Sequence, residues 1–142
     1  MKVLRKDIEH KILASGSTPE RAFALSKNDW TSMQFNKSGK QILFCSKGAI
    51  ITVDGYEGTV LHSFLSENDD NSSPSLPMAG CFTADDKAIV CGNENGSVCC
   101  YDVNTGLLLR KLRGHVGRVE CVEVNPKYAQ FASSCTNTAL WI

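Results

Sequence analysis

The sequence has no apolar run approaching the length of a membrane span, no surplus of charge and no pair of cysteines at Cys-x-x-Cys spacing. Each absence excludes something. Without a long apolar run, no transmembrane helix is expected. Lys plus Arg and Asp plus Glu both number 15, a formal net charge of zero. Bulk attraction to bare nucleic acid or an anionic membrane therefore has no basis, although a local patch is still open. Seven cysteines is an odd count, so they cannot all pair within one chain, and Cys99 and Cys100 are adjacent rather than clip-spaced. The reading is reduced thiols packed as small hydrophobes in an intracellular protein. Met1-Lys2-Val3-Leu4-Arg5-Lys6-Asp7 turns charged too soon for a signal peptide.

What the chain does have is a repeat. Its 142 residues fit one domain on length, and from Trp30 onward they read as short strands separated by turn chemistry. Trp30 to Phe35 is one strand, Gln41 to Ser46 a second, Ala49 to Val53 a third and Thr59 to Phe64 a fourth. Four short strands with small turns predict an antiparallel meander. The order then recurs. Phe35 is matched by Phe82 and then by Val124, at spacings of 47 and 42 residues. Lys40 is matched by Lys87, and Asp54 and Gly58 return as Asp102 and Gly106. A period near 40–45 residues with four strands per unit is that of propeller blades. A β-sandwich also has regular short strands, yet it gives no reason for turn Asp, Gly and Lys to return in register.

The expected fold is all-β, an incomplete propeller of about three four-stranded blades, an open arc. Blades are expected at 30–65, 78–113 and 114–142, the last with three strands, and a polar loop at 66–77 is inserted between the first two. Residues 1–29 read as a partial segment ending a preceding blade, with Arg21 to Leu25 as its last strand. Leu4, Ile8 and Ile12 sit at helical spacing, while Val3-Leu4 and Ile12 to Ser17 read equally as strand fragments. A further expectation is that residues 2–13 complete the last blade, which stops past its third strand.

The residues from Ala88 to Asp102, followed by Gly114-His115 and closed by Leu140-Trp141, resemble the WD-repeat pattern. That family's blades are fixed by a buried network of His, a strand Ser or Thr, a turn Asp and the Trp, which must be fully paired. Here Tyr101 and Val53 stand at the Trp position, and Asn95 and Asn137 stand where the turn Asp is usual. The last unit is also short by about two residues between Ser133 and Trp141. From Trp30 to Ile142 the chain is similar to the C-terminal part of the WD-repeat subunit of COMPASS-type histone methyltransferase complexes. The likeness rests on Trp30-Thr31, Phe35-x-x-x-Gly39-Lys40, Asp54-x-x-x-Gly58, Phe82-Thr83 and the ending Asn125-Pro126-Lys127 … Phe131 to Trp141. It implies that the arc is part of a seven-bladed ring, and that the protein is a nuclear, non-catalytic adaptor. Its partners would be a catalytic subunit methylating lysine 4 of the third core histone, other subunits of that complex, and the phosphorylated tail of RNA polymerase II. A role in an RNA 3′-end processing or termination phosphatase complex is implied in some lineages. The alternative is a truncated propeller without independent activity, since an arc leaves apolar blade faces uncovered.

No catalytic, cofactor or metal site is expected. His10, His62 and His115 stand alone in sequence, without a zinc-ligand partner. His115 reads as a buried blade histidine. Asp54 and Asp102 head Asp-x-x-x-Gly turns, where the carboxylate caps backbone groups, so a carboxylate pair for acid–base work is the weaker reading. Gly92-x-x-x-Gly96 lacks the Lys-Ser/Thr of a phosphate loop, and Ser15 and Ser17 lie in no nucleophile elbow. Cys99-Cys100 alternates across a strand, one thiol inward and one on the opposite face, with a thiol-dependent activity as the remote enzymatic reading. Lys47, Arg113 and Arg118 fall in or beside inter-strand loops. They are the partner-binding candidates, because arginines there suit a phosphorylated peptide. Asp54, Gly58, Tyr101, Asp102, Gly106, Gly114, His115 and Trp141 are the expected structural blade residues.

Overall fold

A computed structural model describes residues 30–64 and 76–142. Within these residues eleven strands run in chain order: β1 (Trp30–Phe35), β2 (Gln41–Ser46), β3 (Ala49–Asp54), β4 (Val60–Phe64), β5 (Pro77–Phe82), β6 (Ala88–Asn93), β7 (Ser97–Asp102), β8 (Leu108–Arg113), β9 (Cys121–Val124), β10 (Phe131–Ser134) and β11 (Thr138–Trp141). They form two four-stranded sheets, β1-β2-β3-β4 and β5-β6-β7-β8, and a three-stranded sheet, β9-β10-β11. Every pairing is antiparallel between chain neighbours. Each sheet is a meander, and the three stack in series as open propeller blades. The expected strands in residues 1–29, including the completion of the last blade by residues 2–13, fall outside the described residues.

The repeat seen in the sequence is a repeat of register. Phe35 lies opposite Ile42, Phe82 opposite Ile89 and Val124 opposite Phe131. The next strand then sets Val53, Tyr101 and Trp141 against those same partners. Because side chains alternate across a strand, these residues share the face turned toward the preceding blade. The alternate set turns toward the following blade. One buried cluster therefore joins Leu43, Cys45, Ile50 and Phe64 of the first blade to Phe82, Ile89, Cys91, Cys99, Tyr101 and Val103 of the second. A smaller one joins Cys81, Val90 and Val98 of the second to Val119, leading into the third, and Val122 in β9 of the third.

The turns are held by side chains built for that purpose. Asp54 Oδ1 accepts the N–H groups of Tyr56 (2.9 Å) and Glu57 (2.7 Å). Asp102 Oδ1 accepts those of Asn104 (2.9 Å) and Thr105 (2.8 Å). The Thr105 backbone bond is the main reason that the Asp102 carboxyl sits below its ordinary range, with the other Thr105 and Asn104 bonds adding to it. Gly58 and Gly106 close these turns at φ of 69° and 71°, a region that L residues avoid. Both carboxylates therefore serve turns. The segment expected as loop at 66–77 ends earlier than the sequence suggests, because Pro77 opens β5. Proline is tolerated as the first residue of a strand, and the Pro77 carbonyl accepts Gly48 N–H at 2.8 Å.

Candidate functional site

In a meander of four strands, the turn between the second and third strands lies at the same end of the blade as the connection from the fourth strand to the next blade. This end gathers the β2–β3, β6–β7 and β10–β11 turns and the β8–β9 connection. Lys47 sits in the β2–β3 turn, Arg113 ends β8 and Arg118 lies in the β8–β9 connection. The structure thus puts the three basic candidates on one rim, each exposed. The rim is not purely basic. Arg118 Nε lies 3.7 Å from Glu120 Oε1, both more than half exposed, a pair worth little in water. Glu94, exposed in the β6–β7 turn, adds another negative charge.

Within the same rim lies a polar cluster. The β8–β9 connection lays His115 against the third blade. There His115 Nε2 lies 2.7 Å from Ser133 Oγ, and Trp141 Nε1–H donates to the same oxygen at 2.7 Å. On its other side His115 Nδ1 lies 3.2 Å from Cys135 Sγ. The ring of Trp141 stacks on Phe131 with centroids 5.8 Å apart and meets His115 edge-on at 6.4 Å. Gly114 is required here, because a Cβ would lie 2.8 Å from the Trp141 ring.

Two expectations are corrected. The group facing His115 in the last turn is Cys135, not Asn137. Ser134 pairs with Thr138 across a shorter turn than the Gly92–Val98 pair of the second blade. The shortening draws the sulfur against the imidazole, while Asn137 offers its backbone N–H to Cys135 Sγ at 3.4 Å. His115 and Trp141 are half-buried rather than buried, because β11 is the edge of the described third sheet and no described strand covers it. Sequence reasoning missed Cys135 altogether. Its two-residue deficit was the available signal, since a shortened turn must change which side chain reaches the histidine.

The second blade solves the same problem without a histidine. Tyr101, at the Trp position, is buried and packs on Phe64 across the blade boundary, ring centroids 5.2 Å apart. Asn95 Oδ1 takes the Ser97 N–H (3.0 Å) and hydroxyl (2.6 Å). Cys99 is buried and Cys100 half-buried, and burial pushes the Cys100 thiol up. Neither is poised as a nucleophile. Among the described residues no group of three or more His, Cys, Asp or Glu could hold a metal ion.

Over 116 residues the chain is 37% identical to WD repeat-containing protein 82 of Drosophila melanogaster, covering 80% of this chain and 36% of that protein. It is 25% identical over 111 residues to the human serine-threonine kinase receptor-associated protein, covering 77% of this chain and 32% of the relative. The crystal structure of the RRP9 WD40 repeats superposes with a TM-score of 0.70 over 81% of this chain and 36% of that one, at 16% identity. The structure of U3-55K does so at 0.68 and 18% identity, with the same coverage. These likenesses make the fold that of WD-repeat blades. The chain spans about a third of the length of the curated relatives it matches. No protein-family model matches it.

Proposed function

We propose that these WD-repeat blades act as a non-catalytic protein-interaction scaffold, the adaptor of a nuclear COMPASS-type complex that methylates lysine 4 of the third core histone. In this reading the rim carrying Lys47, Arg113 and Arg118 receives an acidic, phosphorylated peptide such as the polymerase II tail. Guanidinium groups pair phosphate oxygens two at a time, which suits Arg113 and Arg118 to that role. The observation that carries the reading is the 37% identity to WD repeat-containing protein 82, which extends over 80% of the chain. The shortened last turn of the third blade, seen in the Ser134–Thr138 pairing, supports it, since the resemblance to the COMPASS-type subunit rested most on that ending.

The test is affinity capture from nuclear extract with the tagged full chain, followed by mass spectrometry. The expected result is recovery of a histone methyltransferase catalytic subunit together with polymerase II. Replacing Lys47, Arg113 and Arg118 together with Glu should cut polymerase recovery about tenfold or more while sparing the methyltransferase, as lost phosphate contacts would. Recovery of neither partner would overturn the reading. Recovery of termination phosphatase subunits alone would replace the complex while keeping the scaffold.

A further inference from the structure

All seven cysteines are free thiols, and they occupy very different surroundings. Burial pushes Cys45, Cys81, Cys91 and Cys100 up, Cys81 to about 12. Cys135 moves the other way. The Asn137 backbone N–H is the largest cause; burial opposes it. The Thr136 hydroxyl, His115 and the Gly117 backbone then reinforce it, bringing the thiol down to about 6.

The direction of the hydrogen bonds explains why. An indole N–H only donates, so Ser133 Oγ accepts from Trp141 at 2.7 Å. The Ser133 hydroxyl proton is then free to point at His115 Nε2, 2.7 Å away. A neutral imidazole that accepts at Nε2 carries its proton on Nδ1, and Nδ1 lies 3.2 Å from Cys135 Sγ. Trp141, Ser133 and His115 thus form a relay of donors that ends on sulfur. Asn137 N–H at 3.4 Å and Thr136 Oγ1 at 3.7 Å add to it. Such a convergence favours an anion. In this tautomer His115 stabilises a thiolate by donating to it, the thiol proton leaves to solvent, and the thiolate is the nucleophilic form of cysteine. Cys135 is half-buried, so its side chain is not sealed from solvent.

We propose that Cys135 is a thiol-modification site, a nucleophile held by the His115–Ser133 pair, and that it reacts with small oxidants of the peroxide class. The thiolate sulfur attacks one oxygen of hydrogen peroxide, forming an S–O bond as the O–O bond breaks. Sulfur loses two electrons, the peroxide is reduced, and the departing hydroxide takes a proton from solvent as water. The product is a sulfenic acid. It replaces the acceptor that His115 Nδ1 faces, so the Trp141 environment changes with the state of the sulfur.

The test is limited alkylation of the folded full chain with iodoacetamide at pH 6, read peptide by peptide. Exposed Cys121 is the internal reference. Access alone would make Cys121 the faster of the two. A thiol half-ionised at this pH holds roughly 150-fold more thiolate than an ordinary one near 8.5. Lower intrinsic nucleophilicity takes back roughly a factor of ten, so Cys135 should label about tenfold faster. Equal or slower labelling would overturn the proposal. In Ser133→Ala, with the fold checked by circular dichroism, the labelling rate should fall several-fold; an unchanged rate would remove the relay. Dilute hydrogen peroxide with dimedone should mark Cys135 before Cys121, and the reverse order would sink the oxidation step.

Discussion

The two seams between blades are built from the same register positions and hold together by different physics. The first seam is mainly apolar at its centre, with Leu43, Ile50, Phe64, Ile89 and Tyr101 all buried. Its rims are stitched by polar groups. Asp86 of the second blade accepts the N–H groups of Lys37 and Ser38 in the first at 2.7 and 2.8 Å, and His62 Nε2 reaches the Asn104 carbonyl at 3.0 Å. The second seam has a smaller apolar centre. There the position of Tyr101 is held by Trp141, which stacks on Phe131 of its own blade and joins a polar relay. An apolar seam tolerates no lost volume, whereas a polar relay tolerates no lost partner.

That difference predicts how each seam fails. The largest effect is expected in the first. Ile89 has no exposed surface, so Ile89→Ala removes buried methyl and methylene groups and leaves a cavity, costing about 3 kcal/mol. Urea melts should show it as a lower midpoint with little change in slope. A loss below about 1 kcal/mol would mean that the first seam repacks freely, and the contrast between seams would collapse. Next comes Ser133→Ala in the second seam. It removes little volume but strips the partner from both Trp141 Nε1 and His115 Nε2, at a cost of about 2 kcal/mol. Trp141 emission should shift in the native state as well as at the melt. A neutral Ser133→Ala would show that the relay is ornamental to folding.

The first seam was the more legible in sequence, for a physical reason. Alternation along a strand decides which side chains face a neighbouring blade, so Phe35, Phe82 and Val124 could be aligned before any partner was known. The Asp-x-x-x-Gly turns were equally legible, because the carboxylate and the positive-φ glycine act within five residues. What lay beyond sequence were contacts between units. Asp86, at a φ of 59°, caps a turn 48 or 49 residues away, and nothing in its local pattern names that target. Cys135 was hidden in a similar way. The missing two residues were visible, but which atom they would bring to His115 depends on how the β8–β9 connection crosses the blade. The polar rim of Lys47, Arg113 and Arg118 could be listed by residue, yet only topology places all three at one end.

The smallest expected effect has the opposite sign and tests the apolar character of the first seam directly. Thr52 lies opposite Leu43 in the β2–β3 register, on the face turned toward the second blade, and has no exposed surface. Its Oγ1 has no hydrogen-bond partner among the described residues. A buried hydroxyl without a partner keeps its desolvation cost and gains nothing in return. Valine has nearly the same shape and replaces that oxygen with a methyl group suited to Leu43 and its neighbours. Thr52→Val should therefore stabilise the chain by about 1 kcal/mol, seen as a raised urea midpoint at constant slope. Destabilisation would mean that Thr52 Oγ1 serves a polar partner, and that the first seam, like the second, depends on a buried hydrogen bond.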